Sequence, residues 1–399
     1  MRREAAQVLL DSADALWPDA FRTLTRDPRR PPAGGVDYLV LPRPSAPRWL
    51  LPAESPEAGE ALRRPHRGLW PDLLTRVVIR AHRVGLSRRL PLARLRVLES
   101  DASAANSSIT TVVGDALGEE VTVAVRLGSW DNARVAIAHV FGPDGRTRAF
   151  GKVGLDGYGR AAVLAERAAL TRLQSLAVQS VAHPRIIHHE SWRGLEVLLN
   201  TPLIGERRSS TRRQVPLSVM RQLAATDGLR HDSWRESGWW ATVRDRMSRV
   251  EDTGVRAQLA SAADRLVRSD KDVCLGCWHG DWTPWNMSHD GQRVLLWDWE
   301  HFAEDVPAGF DPLHFRAQQL RTSRGTTPRA ERQWLLELPA LLGQTSDVAS
   351  REQVVLAYLV EINLRYVLDR QSTVARVEPR VGWGLDLLRA HVDRLDAHS

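Results

Sequence analysis

Four residues within a twenty-residue stretch have the types and spacing that phosphoryl transfer requires: His279, Asp281 and Asn286 in WHGDWTPWNM, and Asp298 in VLLWDWEHF. Moving a phosphoryl group between oxygen atoms needs a carboxylate beside the acceptor hydroxyl. It also needs hard oxygen ligands for a divalent cation that bridges the nucleotide phosphates. Asp281 is the candidate catalytic carboxylate, and the Asn286 amide oxygen and the Asp298 carboxylate are the candidate magnesium ligands. His279 shares the catalytic segment and suits the work of organising the loop by hydrogen bonding. The Asp290-Gly291 turn between the two segments lets the strand ending in Asp298 fold back beside the loop that carries Asp281 and Asn286. The competing reading is that HGD and DWE are ordinary turn and strand-end residues, with Trp282, Trp285, Trp297 and Trp299 as core.

A second pair lies upstream. Of the 55 basic residues only Lys152 and Lys271 are lysines, so a lysine marks a place where a compact ammonium is needed instead of a broad guanidinium. Lys152 falls in the strand-like RTRAFGKVG. In the following helical stretch Val163, Glu166, Leu170 and Leu173 share one face, which puts Glu166 on an apolar stripe where a carboxylate needs a cationic partner. A strand lysine paired with a helix glutamate is the arrangement that positions nucleotide phosphates in kinases. The plainer alternatives are a solvent-facing strand lysine and a partly exposed helix glutamate.

The elements that must hold these groups follow from periodicity and turn chemistry. From about Asn106 the pattern gives a short helix (SSITTVVGDALG), then the strand VTVAVRL with Val121, Val123, Val125 and Leu127 on one face. The turn GSWDNA, the strand ARVAIAHVF, the turn Gly142–Gly145 and the strand carrying Lys152 come next. A helix from about Tyr158 to Gln174 precedes the hairpin RIIHHESW and LEVLLN. Three strands, one helix and two strands with such turns predict an antiparallel sheet. Beyond Pro202 the chain reads as mainly helical, interrupted by a hairpin-like core from Val273 to Trp299. A helix over about Glu352 to Leu368 is apolar on most sides, as a buried helix is. Before residue 106 there is a short helix, a Pro/Arg/Gly segment from Arg26 to Gly35, a hairpin of DYLVLP and PRWLLP, and a helical run from Leu69 to Val84. That region shows no chemistry of its own.

Together HGDWTPWN at 279–286, DWE at 298–300 and the Lys152/Glu166 pair resemble the aminoglycoside phosphotransferase and choline kinase group, from about Asn106 to the C-terminus. The resemblance implies an α+β, two-lobed protein-kinase-like fold. Its parts would be an accessory region over 1–105, an N-lobe with a five-stranded antiparallel sheet over 106–201, and a helical C-lobe with the catalytic loop over 202–399. It implies Asp281 as catalytic base with His279 beside it, Asn286 and Asp298 as Mg2+ ligands, and Lys152, Glu166, Gly128 and Ser129 at the nucleotide. The donor would be ATP, with GTP open, and the acceptor a hydroxyl of a small molecule such as an aminoglycoside, sugar, amino alcohol or natural product. Asp311 in GFDPLHF stands where the group places a brace for the catalytic loop; a solvated loop aspartate is the alternative. The chain departs from protein kinases in lacking G-x-G-x-x-G around Gly128, D-F-G and A-P-E, and in having Gly280 where they usually carry Arg.

Composition sets the outer bounds. The 399 residues, 43% hydrophobic and 26% charged, are room for more than one compact unit and far from a disordered composition. No run of about 20 apolar residues suggests a membrane span, and Asp11 and Asp14 interrupt any export signal, so a cytoplasmic enzyme is expected. The net charge of +7 is dispersed among acids without a nucleic-acid-binding motif, which argues against a nucleic-acid partner. Arg207, Arg208, Arg212 and Arg213 form either a solvated loop or a contact for an anionic substrate. Cys274 and Cys277 form a lone CxxC, half of a zinc site at most and more simply two buried thiols. The non-catalytic alternative is a kinase-like module that binds nucleotide or docks a partner.

Overall fold

The computed structural model describes the whole chain except residues 1, 30, 33, 64–71, 100–107, 129–134, 177, 180, 204, 206–213, 270, 325–326, 343–350, 372–379 and 398–399. Arg207, Arg208, Arg212 and Arg213, as well as Ser129, lie outside the described residues. The chain forms two compact units, one of residues 1–167 with 184–202, the other of residues 168–183 with 203–399.

The first unit begins with α1 (Arg2–Leu16), β1 (Ala20–Thr25), β2 (Gly35–Arg43), β3 (Ala46–Pro52), α2 (Asp72–Arg83), β4 (Arg94–Glu99) and α3 (Ile109–Leu117). It continues through β5 (Thr122–Arg126), β6 (Val135–Phe141), β7 (Thr147–Gly154) and the start of α4 (Gly157–Ser175). After β8 (Val181–Ala182), which belongs to the second unit, come β9 (Ile186–Trp192) and β10 (Leu195–Asn200). Each predicted strand from VTVAVRL onward is present within a residue or two.

The strands form one nine-stranded antiparallel sheet in the order β1-β4-β2-β3-β5-β6-β7-β10-β9. The boundary expected at 105/106 falls inside this unit, because β3 pairs with β5 through Trp49 opposite Arg126 and Leu50 opposite Val125. Period-2 alternation explains how the first hundred residues join the core. Tyr38 and Val40 face a cluster shared with Leu9 of α1, Trp17 just after that helix, Val112 of α3 and Val123 of β5. Leu39 and Leu41 point the other way, to Ala58, Val78 and Phe141. The helix α3 is held at its start by the Ser108 hydroxyl, which accepts from Thr111 N at 3.3 Å, and stops at Gly118 with φ 69°.

The second unit holds α5 (Leu217–Ala224), β11 (Arg230–Ser233), α6 (Gly238–Ser248), α7 (Thr253–Val267), β12 (Asp272–Trp278), β13 (Met287–His289), β14 (Val294–Leu296) and β15 (Ala303–Pro307). The helices α8 (Phe310–Arg324), α9 (Pro328–Leu341), α10 (Arg351–Gln371) and α11 (Arg380–Asp396) complete it. Its small sheets run β11-β12-β15 and β13-β14-β8. As its apolar pattern predicts, α10 is sunk in the core, with Val355, Leu359, Ile362 and Leu364 among its buried side chains. The polar exceptions on that helix, Glu361, Asn363 and Arg365, are buried as well. Cys274 and Cys277 are free thiols of β12, and burial pushes Cys277 up to about 11, far from a reactive thiolate. Among the described residues no helix is long and apolar enough to cross a membrane.

Candidate active site

The loop from Trp278 to Asn286 connects β12 to the β13–β14 hairpin, and its shape is imposed by hydrogen bonds from both sides. The Asp311 carboxylate, at the start of α8, accepts from His279 N at 2.8 Å and from Gly280 N at 3.2 Å. It is the brace and not a solvated loop residue: Asp311 is buried. Burial pushes its pKa up to about 7, against the two backbone donors and Arg365, which pull it down.

Fully buried, His279 packs against Trp299 with the rings tilted by 58° and their centroids 4.5 Å apart. Its Nδ1 accepts from Asp281 N at 3.1 Å, so the ring proton sits on Nε2 and is donated to the Trp297 carbonyl at 3.1 Å. Burial drives its pKa down to about 3, leaving a neutral ring whose two nitrogens are both occupied. His279 therefore ties the Asp281 backbone to the β13–β14 hairpin, the geometry of a residue that organises the loop. Gly280 has φ 85°, and a Cβ there would lie 2.2 Å from the His301 carbonyl oxygen. Only glycine meets both the left-handed backbone and that close approach.

These constraints fix Asp281. Its Oδ2 accepts from Asn286 Nδ2 at 2.8 Å, and its Oδ1 accepts from His314 Nε2 at 2.9 Å. The buried His314 has its Nδ1 3.2 Å from the Tyr358 hydroxyl, which donates to it. Although both oxygens are held, the Asp281 side chain remains 35% exposed. Burial works to raise its pKa, but the His314 hydrogen bond and the nearby positive groups, Arg365 among them, outweigh it and hold the carboxyl well below the usual range. The result is an ionised, oriented and accessible carboxylate.

Asn286 spends its amide hydrogens on Asp281, with a second bond from Nδ2 to the Asp281 carbonyl at 3.0 Å. The remaining polar atom of that side chain is the amide oxygen. Trp297 N donates to the Asn286 carbonyl at 3.1 Å, and Met287 pairs with Leu296, so Asn286 and Asp298 flank the same end of the β13–β14 hairpin. Asp298 adopts φ 67°, a left-handed conformation that costs a non-glycine residue about 1–3 kcal/mol and persists where the surroundings over-determine it. An amide oxygen and a carboxylate are the hard ligands that magnesium takes from a protein when phosphates and water complete its shell. Among the described residues no group of three His, Cys, Asp or Glu is placed to hold a metal ion.

In the first unit Lys152 lies mid-sheet on β7, between Ile137 of β6 and Leu198 of β10, and its ammonium pairs with the Glu166 carboxylate of α4. Both are buried, at 8% and 2% exposure, so each is the other's charge compensation. Gly128 follows β5 and is half-buried. Sequence reasoning missed His314 and Arg365. The signal for His314 was its place three residues after Asp311 on one helix face, and for Arg365 a lone cation in the most apolar helix.

No protein-family model and no curated protein matches the chain. Among solved structures it is similar to an aminoglycoside phosphotransferase from Streptomyces rimosus, at 17% identity over 63% of this chain and 95% of that one, with a TM-score of 0.41. It is also similar to a putative fructosamine-3-kinase from Haemophilus somnus, at 13% identity over 71% and 96% of the two chains, TM-score 0.39. An amicoumacin kinase solved in complex with AMP-PNP, Ca2+ and Ami matches at 13% identity over 69% of this chain and 88% of that one, TM-score 0.40. The order seen here, three antiparallel strands, a helix, two more strands and then a mainly helical unit, is the α+β kinase-like arrangement that the motifs implied.

Proposed function

We propose that this protein is a phosphotransferase that moves the γ-phosphoryl group of ATP, or of GTP, to a hydroxyl of a small molecule. The observation that carries the reading is the Asp281 carboxylate: ionised, accessible, and held on both oxygens by Asn286 and His314. The acceptor oxygen attacks the γ-phosphorus, the bond from that phosphorus to the bridging oxygen breaks, and its electron pair leaves on the nucleoside diphosphate. The acceptor proton passes to Asp281. Asn286 and Asp298 would hold magnesium, which supplies charge neutralisation at the phosphates. Lys152, fixed by Glu166, would orient the α- and β-phosphates, with Gly128 and Ser129 near them. Positioning and electrostatics carry most of such a reaction. The composition and the absence of a nucleic-acid motif support a cytoplasmic small-molecule enzyme.

Thermal unfolding with and without ATP and Mg2+, in wild type and Asp298→Asn, tests this. Ligand at 100 times Kd stabilises by about 2.7 kcal/mol, so a metal-dependent rise of several degrees that the variant loses is expected. No shift in either protein, with ATP or GTP, would transfer the case to a non-catalytic module.

A further inference from the structure

Within the second unit a pocket of about 270 Å³ opens beside the catalytic loop. Two of its lining residues touch Gly280, the neighbour of Asp281. Arg365 Nη1 donates to the Gly280 carbonyl at 2.9 Å, and the His301 carbonyl packs against the Gly280 Cα. Its volume is just below the small end of the ~300–1,000 Å³ typical of small-molecule sites, suited to a single ring and not to a chain of rings.

The charges of the wall are already matched. Glu361, nearly buried on α10, pairs with Arg246 of α6 at 2.6 Å. Glu304 pairs with Arg172 at 2.8 Å. Arg365 lies over the Trp278 ring, 5.2 Å from its centroid. A polycation entering here finds no unmatched carboxylate and two guanidinium groups. An anion faces two glutamates and the nearby Asp281. Hydroxyl groups, which both donate and accept, suit a wall of paired donors and acceptors.

We infer that this pocket receives the acceptor, and that the acceptor is a small neutral polyol, one sugar ring or cyclitol in size. The inference rests on the phosphotransferase reading and adds the substrate class.

The test is nucleoside diphosphate release by the full-length protein with ATP and Mg2+, against three sets of compounds. They are neutral monosaccharides and cyclitols (glucose, myo-inositol and their isomers), amino sugars (glucosamine, kanamycin), and anionic sugars (glucuronate, glucose 6-phosphate). The highest kcat/KM is expected in the neutral set. Arg246→Gln, which strips Glu361 of its partner, is expected to shift the preference between glucose and glucosamine about tenfold toward the amine. Thr242→Phe, narrowing the same pocket at an exposed helix position, is expected to raise KM for the neutral acceptor at least tenfold, and keeps the test open should Arg246→Gln fail to fold. An amino sugar or anion as best wild-type acceptor overturns the inference. So does the absence of any neutral acceptor while Mg2+-dependent nucleotide stabilisation is intact. If that stabilisation is itself absent, it is the phosphotransferase reading that has failed.

Discussion

Two charged sites in this molecule are built by opposite means. In the first unit Lys152 and Glu166 stand on regular elements, a central strand and a helix, and form a buried ion pair. In the second unit Asp281 stands on a loop, where Asn286, His314, His279 and Asp311, spread from residue 279 to residue 314, fix its backbone and both oxygens. A buried ion pair on a rigid scaffold needs one correct partner. An exposed reactive carboxylate needs its geometry held without being covered, and only donors arriving from behind can do that. The first site should therefore fail in stability when broken, and the second in rate.

The largest effect is expected at the loop. Asp281→Asn retains the shape and an acceptor oxygen toward His314 but cannot take a proton. It should lower kcat about 10³-fold, some 4 kcal/mol, with the unfolding midpoint nearly unchanged. Steady-state product release and urea unfolding on the same preparation measure both. A matching loss of stability would erase the distinction between the two sites.

The ion pair should behave the other way. Lys152→Met leaves Glu166 buried without its cation, which costs about 3 kcal/mol in urea unfolding. Lys152→Met with Glu166→Leu should recover most of that stability while activity stays lost, because packing is restored and the ammonium proposed to orient the phosphates is not. A double variant as unstable as the single one would show that the pair is not the whole account of that site.

The smallest effect sharpens the role of the brace. Asp311 has its pKa raised to about 7 from an ordinary carboxylate value, so the folded state holds this proton more tightly than the unfolded state. Its contribution to stability is complete below the unfolded pKa and is lost as pH rises through the folded one. The neighbouring histidines are depressed, His279 and His301 to about 3, and change stability only below about 6.5. Between pH 6.5 and 8 the Asp311 contribution should thus fall by about 0.8 kcal/mol. Subtracting the pH slope of Asp311→Asn from that of wild type isolates it; equal slopes would mean that Asp311 is ionised throughout.

Much of the scaffold was legible because local chemistry and global fold agree. The turns Gly142–Gly145 and Arg193-Gly194 fall between the predicted strands, and Leu217 onward is helical as the polar and apolar spacing requires. The first hundred residues were harder. Their hairpin was visible in DYLVLP and PRWLLP, yet nothing in those residues says that β3 will continue the sheet through β5, because an edge and a central strand share the same alternation. The loop-organising work read for His279 depends on contacts that its own segment does not display, its full burial and two fixed hydrogen bonds, one of them to the far side of the hairpin.

By itself the sequence determined the chemistry on offer: a carboxylate, an amide and a second carboxylate at spacings that a turn can bring together, and a rare lysine ahead of a glutamate on an apolar stripe. Those facts are local, and side-chain type with periodicity is enough to state them. The tertiary structure alone decided which histidine holds Asp281, what holds the loop from behind, and that the pocket beside it has its charges already paired. His314, Asp311, Glu361 and Arg365 come from helices far along the chain. Their meeting is fixed by core packing, which sums weak, non-directional contacts over the whole unit and leaves no motif in any one segment.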